Sequence, residues 1–284
     1  MDILLIPNLS KKNGYECTCE VIRRMTGYGC SCWMVEESMH EFAGQPVKSF
    51  PPQGQKIDMI FFHRRGTGRS STAHAMPLRW TAPVFGASTH GQGWAFLTEI
   101  EYNALDRLEQ IVQGNYSIQQ RMMLHASAIK QNGRQEFSAL NDVVITKGAF
   151  GKMVDIDVEM KNGFVNNYRA DGLIFSTRPA PPPTRSVRAD PIIYSSIECI
   201  SVTAICPHSL ASRAILYSPE EVFTVRGRYV NNSEILYMSV DGENRVRIEP
   251  TDCVVISKDS RYVKYVNFGS KHYFEKLNKK IMGR

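Results

Sequence analysis

No apolar run in the sequence approaches the roughly 18 residues that a membrane-spanning helix needs, so no membrane contact is expected. The opening Met1-Asp2-Ile3-Leu4-Leu5-Ile6-Pro7 is short and lacks a basic flank, so it does not read as an export signal. It reads as a buried first strand. With no export signal, the odd count of seven cysteines argues against a disulfide framework, and reduced thiols in the cytoplasm are expected. Two Cys-x-Cys pairs occur, Cys17/Cys19 and Cys30/Cys32, but no histidine follows at zinc-finger spacing. The first pair falls in an expected helix, where residues two apart point to different sides, so no metal site is assigned. Acid is scarce in two windows. Between His63 and Ala82 stand four arginines and no Asp or Glu, and between Arg178 and Asp190 three arginines and one acid. These windows account for the whole formal charge of +6, which leaves the rest of the chain neutral. A nucleic-acid footprint belongs on folded elements, so no nucleic-acid partner is inferred.

What is present is a chain of 284 residues, 43% hydrophobic and 22% charged, the composition of a soluble globular protein with one large or two ordinary domains. Ile3 to Ile6 reads as a strand and Asn13 to Met25 as a helix, with Asn13 placed as an N-cap. Cys30 to Val35 and Ile57 to Phe62 read as further strands, and Asn103 to Gly114 as a helix with Leu105, Leu108 and Ile111 on one face. Strand, helix and strand at this spacing predict a parallel α/β domain. From Tyr116 the texture changes to short β-branched runs between turn signals such as Lys161-Asn162-Gly163 and Asp241-Gly242. These predict strands over 121–130, 143–147, 153–160, 172–176, 197–204, 214–217, 222–229, 235–240, 246–249, 253–258 and 262–267. The fold class is therefore α/β plus all-β. A Rossmann-like α/β domain over 1–115 is followed by a β-sandwich over 116–268 and a closing helix within 269–284.

Two strings carry the chemistry. Ala139-Leu140-Asn141-Asp142-Val143-Val144-Ile145 sets an amide and a carboxylate at the head of a β-branched run, where side chains project from a strand end. In Asn166-Asn167-Tyr168-Arg169-Ala170-Asp171-Gly172-Leu173-Ile174, Arg169 and Asp171 lie two apart and share a face on an extended backbone. Brought together, these groups suit a polar ligand with several hydroxyls. The plain alternative is a turn Asn, an edge Asp and a surface Arg.

The two strings resemble motifs of the NAD kinase family, which reads Asn-Glu before an apolar run and then Arg-Ala-Asp-Gly-Leu. Phe96-Leu97-Thr98-Glu99-Ile100, Pro207-His208-Ser209-Leu210 with Arg213, and Ser239-Val240-Asp241-Gly242-Glu243 are similar to three further family segments, in the family's order. The resemblance covers most of the chain and implies that its last helix returns to the first domain. It also implies that Asn141 and Asp142 bind NAD, with Asp142 in place of the more usual Glu. Asp171 would hold the nicotinamide side or position the ligand, and Lys152 and Arg169 match basic positions near the dinucleotide phosphates. Glu243 stands where the family often has Gln. His208 is a further candidate contact, although a lone His before Ser-Leu is more often structural.

The chain departs from the family in both arginine windows. Where the family has Gly-Gly-Asp-Gly-Thr, whose glycines let backbone approach phosphates, this chain has His63-Arg64-Arg65-Gly66-Thr67-Gly68-Arg69. The aspartate thought to act as general base falls at Gly66 or, with a one-residue slip, at Thr67. The family's Gly-Val-Asn-x-Gly appears only as Gly86-Ala87-Ser88-Thr89-His90-Gly91. Its Gly-Ser-Thr-Ala-Tyr-Ser loop is replaced, at equal length, by the proline-rich run after Thr177. Bases that encode Arg69-Ser70-Ser71-Thr72 can also give Thr-Ile-Ile-His when read one base over. Both windows are therefore read as compensated reading-frame errors or as true lesions.

The resemblance implies transfer of the γ-phosphoryl of ATP to the 2′-hydroxyl of the adenosine ribose of NAD, giving NADP. A divalent cation, Mg2+ by preference, would accompany the nucleotide. NAD and ATP are the implied partners, with a homo-oligomer in the cytoplasm. Two other readings stand beside it, a non-catalytic dinucleotide-binding protein that lacks the base and a diacylglycerol-type lipid kinase. A proline-rich adaptor ligand at 178–190 suits its all-β surroundings least.

Overall fold

A computed structural model describes residues 1–9, 13–50, 56–63, 82–88, 99–101, 105–148, 153–177, 193, 197–209, 212–228 and 235–269. The chain forms two compact units, Met1–Arg121 with Val263–Arg284, and Met122–Tyr262. Their limits fall inside two long strands, at 121/122 and 262/263.

The first unit contains β1 (Asp2–Ile6), α1 (Gly14–Gly27), β2 (Ser31–Met34), α2 (Glu36–Met39) with a 3-10 turn at His40–Phe42, β3 (Val47–Ser49), β4 (Met59–His63), β5 (Val84–Ser88), β6 (Glu99–Glu101) and α3 (Arg107–Val112). Its strands are parallel, in the order β3-β2-β1-β4-β5-β6. That is the order of doubly wound dinucleotide-binding sheets, whose switch point lies between β1 and β4. Ile3, Leu4 and Leu5 of β1 are all fully buried, as a parallel strand covered on both faces requires. In α1, Cys17, Val21, Ile22 and Met25 fall on one face and join the core with Met59, Phe61 and Phe85. Arg24 of α1 pairs with Glu20 in the same helix and with Asp106 at the start of α3. Asn13 precedes the helix in a left-handed conformation (φ 62°), and its side chain makes no capping hydrogen bond. The helix start is instead fixed by close approach. A Cβ on Gly14 would lie 2.2 Å from the Asn8 carbonyl oxygen, so only glycine fits.

The second unit is built from β7 (Ser117–Lys130), β8 (Gly133–Ala139), β9 (Asp142–Lys147), β10 (Val154–Met160), β11 (Gly163–Ala170), β12 (Gly172–Ser176), β13 (Ile200–Ile205), β14 (Ile215–Tyr217), β15 (Phe223–Arg228), β16 (Leu236–Val240), β17 (Glu243–Ile248) and β18 (Cys253–Asn267). The outer parts of β7 and β18 belong to the first unit. One layer runs β11-β10-β15-β18-β7-β8 and the other β14-β13-β12-β9-β16-β17. Every pairing within the second layer is antiparallel. Leu124, Ile156, Phe175, Val202, Phe223 and Met238, drawn from both layers, share one core. The rings of Phe175 and Phe223 pack across it at 5.5 Å. This is a β-sandwich.

Several element expectations change. The strands expected over 253–258 and 262–267 are one strand. Asp259 between them is buried in the strand, held by Arg261 and Ser138, and does not mark a turn. β3, β5, β6, β8 and β11 were not predicted, being short or rich in polar residues. The expected closing helix lies outside the described residues.

Candidate functional site

The strand head at Asn141-Asp142 is assembled by three segments of the second layer. Asp142 opens β9 and pairs with Ser176 of β12. The Asn141 carbonyl accepts the Thr177 N–H (3.0 Å), and the Leu140 carbonyl accepts the Thr177 hydroxyl (3.3 Å). From the other side comes the β16–β17 hairpin, whose turn residues Asp241 and Gly242 both have positive φ, 50° and 78°. That is the type I′ pattern an Asp-Gly turn favours. The Asp241 carboxylate accepts the N–H groups of Leu140 (2.8 Å), Asn141 (2.7 Å) and Asp142 (3.2 Å). Its own N–H donates to the Asp142 carbonyl at 2.9 Å. The Asn141 side chain stands exposed beside a half-buried Asp142 carboxyl. Burial, with the charge of Asp241 adding to it, pushes that carboxyl up to about 6.

Asp171 sits at the other end of β9. Its carbonyl accepts the Lys147 N–H (3.0 Å), and its carboxylate pairs with the Lys147 ammonium at 2.7 Å. The next residue, Gly172, pairs with Thr146. A Cβ there would lie 2.3 Å from the Ile145 carbonyl oxygen, so the Asp-Gly order is set by β9 passing close by. Five residue steps along β12 separate Asp171 from Ser176, the partner of Asp142, which is roughly 16 Å of strand. The two carboxylates therefore do not converge on one hydroxyl. They mark the ends of an elongated site.

Arg169 and Asp171 also part company. β11 ends at Ala170, and the chain passes at Asp171 from one layer to the other, so the extended run that would put both on one face is interrupted. Arg169 is exposed on β11 opposite Asp155, and its carbonyl accepts the His208 N–H (2.9 Å). The His208 side chain is exposed. Glu243 begins β17 immediately after the Asp241-Gly242 turn. Lys152, Gly66 and both arginine windows lie outside the described residues. The first window follows β4, beside the switch point of the parallel sheet, and the second follows Thr177 at the Asn141 end of the sandwich. Sequence reasoning missed Lys147 and the clamping role of Asp241. Both act through pairings across the sheet that no local spacing reveals.

A doubly wound strand order followed by a sandwich with a braced Asn-Asp strand head is an architecture whose sites stand at strand ends, as in dinucleotide-binding folds. Residues 140–268 match the ATP-NAD kinase C-terminal domain family. The chain is 30% identical over 288 residues to the NAD kinase of Caldanaerobacter subterraneus subsp. tengcongensis, covering 99% of this chain and 98% of that one. It is 36% identical over 203 residues to the NAD kinase of Geobacter sulfurreducens, covering 70% and 69%. The chain belongs to the NAD kinase family. Its fold is similar to that of yeast NADH kinase complexed with NADH, with TM-score 0.83, 14% identity and coverage of 99% and 87%. It is also similar to an NAD kinase from Archaeoglobus fulgidus in complex with ATP, with TM-score 0.69, 17% identity and full coverage of both chains.

Proposed function

We propose that the protein binds NAD along the β9–β12 face of the sandwich and directs its adenosine-ribose 2′-hydroxyl toward the γ-phosphoryl of ATP, forming NADP. The observation that carries this reading is the Asn141-Asp142 strand head held by Asp241 in a chain of this family. An amide that both donates and accepts, next to a carboxylate that accepts, suits vicinal ribose hydroxyls. Asp171, with its charge balanced by Lys147, sits a dinucleotide-scale distance away and fits the nicotinamide side. Arg169, Lys152 and Glu243 are proposed as further contacts, the two bases toward phosphates. In the transfer, the 2′-oxygen bonds to the γ-phosphorus, the bond from that phosphorus to the bridging oxygen of the β-phosphate breaks, and the hydroxyl proton must leave to a base.

Among the described residues no group of three or more His, Cys, Asp or Glu is placed to hold a metal ion. A divalent cation is proposed to accompany the nucleotide phosphates, where it neutralises charge and needs few protein ligands. We place the protein in the cytoplasm as a homo-oligomer.

Gly66 has no side chain to take the proton. Loss of a general base typically costs about two to four orders of magnitude in rate. The expected outcome is measurable NAD binding by calorimetry, with NADP formation from NAD and Mg-ATP slower than in the relatives by about that factor. Gly66→Asp should raise the rate. A rate equal to that of the relatives from the unaltered chain would refute the role given to this position. Binding with no turnover at all, before and after Gly66→Asp, would favour the second reading, a dinucleotide-binding protein without catalysis, for which Gly66 itself speaks.

A further inference from the structure

We infer that Asp241 is the positioning residue of the NAD site, a carboxylate clamp that holds the Asn141-Asp142 backbone in place and takes no part in the chemistry. The inference rests on the reading that Asn141 and Asp142 bind NAD.

Leu140, Asn141 and Asp142 present three successive backbone N–H groups at the point where the chain turns into β9, the first two ahead of the strand and the third at its first residue. Left unpaired, the part-buried N–H groups of Leu140 and Asp142 would each carry a desolvation cost. One carboxylate satisfies all three, at 2.8, 2.7 and 3.2 Å, with one oxygen taking Leu140 and the other taking Asn141 and Asp142. A fourth bond runs back from the Asp241 N–H to the Asp142 carbonyl (2.9 Å). Such bonds to an ionised acceptor are the stronger kind, and together they fix the backbone of the two residues that would meet the ligand.

The clamp needs a carboxylate aimed backward from a hairpin tip. The left-handed φ of 50° at Asp241 supplies that aim. Asp, Asn and Gly tolerate this conformation, but only Asp offers two acceptor oxygens and no donor. An Asn-Gly turn would form the same hairpin equally well. It would offer one oxygen to three donors and set an NH2 group against them. The clamp also acts through its field. Among the described residues, Asp241 is a charged group that bears on the Asp142 carboxyl, while the residue paired with Asp142 across β12 is the neutral Ser176 and the one preceding Asp241 on β16 is Val240.

The test uses the full-length chain and Asp241→Asn, which keeps the hairpin. Amide hydrogen exchange should quicken at Leu140, Asn141 and Asp142 by about tenfold or more, while Val143 to Ile145 in the body of β9 keep their protection. NAD affinity should fall by about tenfold, and the acid limb of its pH profile should move to lower pH, because Asp142 loses a like-charged neighbour. Unchanged exchange at 140–142, or equal loss of protection along all of β9, would overturn the clamp. Asn141→Ala and Asp142→Asn are measured in parallel. If they weaken NAD binding and Asp241→Asn leaves both the affinity and the pH limb unmoved, the positioning role is overturned. If neither of them affects NAD, the binding reading itself falls and the positioning role with it.

Discussion

The Asp142 carboxyl titrates near neutrality for a physical reason with a consequence for stability. Burial and Asp241 push it up to about 6 in the folded protein, against an ordinary value near 3.8. The folded state therefore binds more protons than the unfolded chain between those two values. Stability from this group is fully present below the unfolded value and is lost as pH rises through about 6. Above that, the ionised carboxyl costs up to about 3 kcal/mol, taking 1.36 kcal/mol per unit. Asp142→Asn should therefore stabilise the ligand-free protein by about 1–3 kcal/mol at pH 7.5, with little effect at pH 4, while NAD binding weakens. Thermal melts at the two pH values check this. A variant less stable than the parent at pH 7.5 would rule out the burial argument. Asn141 and Asp142 were legible in the sequence as polar residues before an apolar run. Asp241 was legible as a turn residue, but its hold on Asn141 was not, because it lies 100 residues away and reaches Asn141 through the β9–β16 pairing.

Elements in the sandwich are positioned by contacts as tight as a single missing methyl group. Gly172 opens β12 directly under β9. A Cβ there would meet the Ile145 carbonyl oxygen at 2.3 Å and the Thr146 Cγ2 and Cα at 2.9 and 3.0 Å. Two of the three obstacles are backbone, and Ile145 also pairs with Met238 of β16, so β9 has little room to retreat. Gly172→Ala should cost about 1–3 kcal/mol, the range typical of overpacking. Because Asp171 is the preceding residue, the variant should also loosen the Lys147 pair and weaken NAD binding. Urea unfolding should show a lower midpoint at an unchanged slope. An unchanged midpoint would mean that the strands part at no cost. At this scale the sequence is legible where an apolar run or a regular alternation is marked, as in β9, β12 and β10, each expected within one residue of its limits. It read poorly where a strand carries polar residues on both faces. β8, with Arg134, Gln135 and Glu136 in succession, gives no period-2 signal, and pairing with β7 alone makes it a strand. β18 was split in two because Lys258-Asp259-Ser260-Arg261 looks like a turn until Ser138 supplies a partner for the buried carboxylate.

Across the whole chain, two of the motifs that the family carries are incomplete in the sequence. β4 ends at His63 beside the switch point of the parallel sheet, where doubly wound folds bind ligands, and the first window follows it in sequence. The window from 178 to 190 follows in sequence on Thr177, whose backbone and hydroxyl brace the Asn141 turn. The α/β-then-sandwich plan was legible from the change of texture near Tyr116 and the family motifs. The site's catalytic half was not, since the residues at 66 and beyond do not spell it. Both windows hold the chain's entire positive excess, and both stand where the family keeps small and hydroxyl-bearing residues that let backbone approach phosphate. If they are compensated frame errors, the gene resequenced from before the codon of Ile57 to beyond that of Ile193 will read Gly-Gly-Asp-Gly-Thr and Gly-Ser-Thr-Ala-Tyr, and position 66 will be Asp. The re-read protein should then make NADP faster than the present chain by at least the two to four orders of magnitude, roughly, that a general base supplies. Gly66→Asp alone should recover only part of that gain, because the arginines on either side would still stand where glycine backbone must meet phosphate. If the resequenced gene returns the same windows and the single substitution recovers the full rate, the frame-error argument fails and the arginines belong to the working protein.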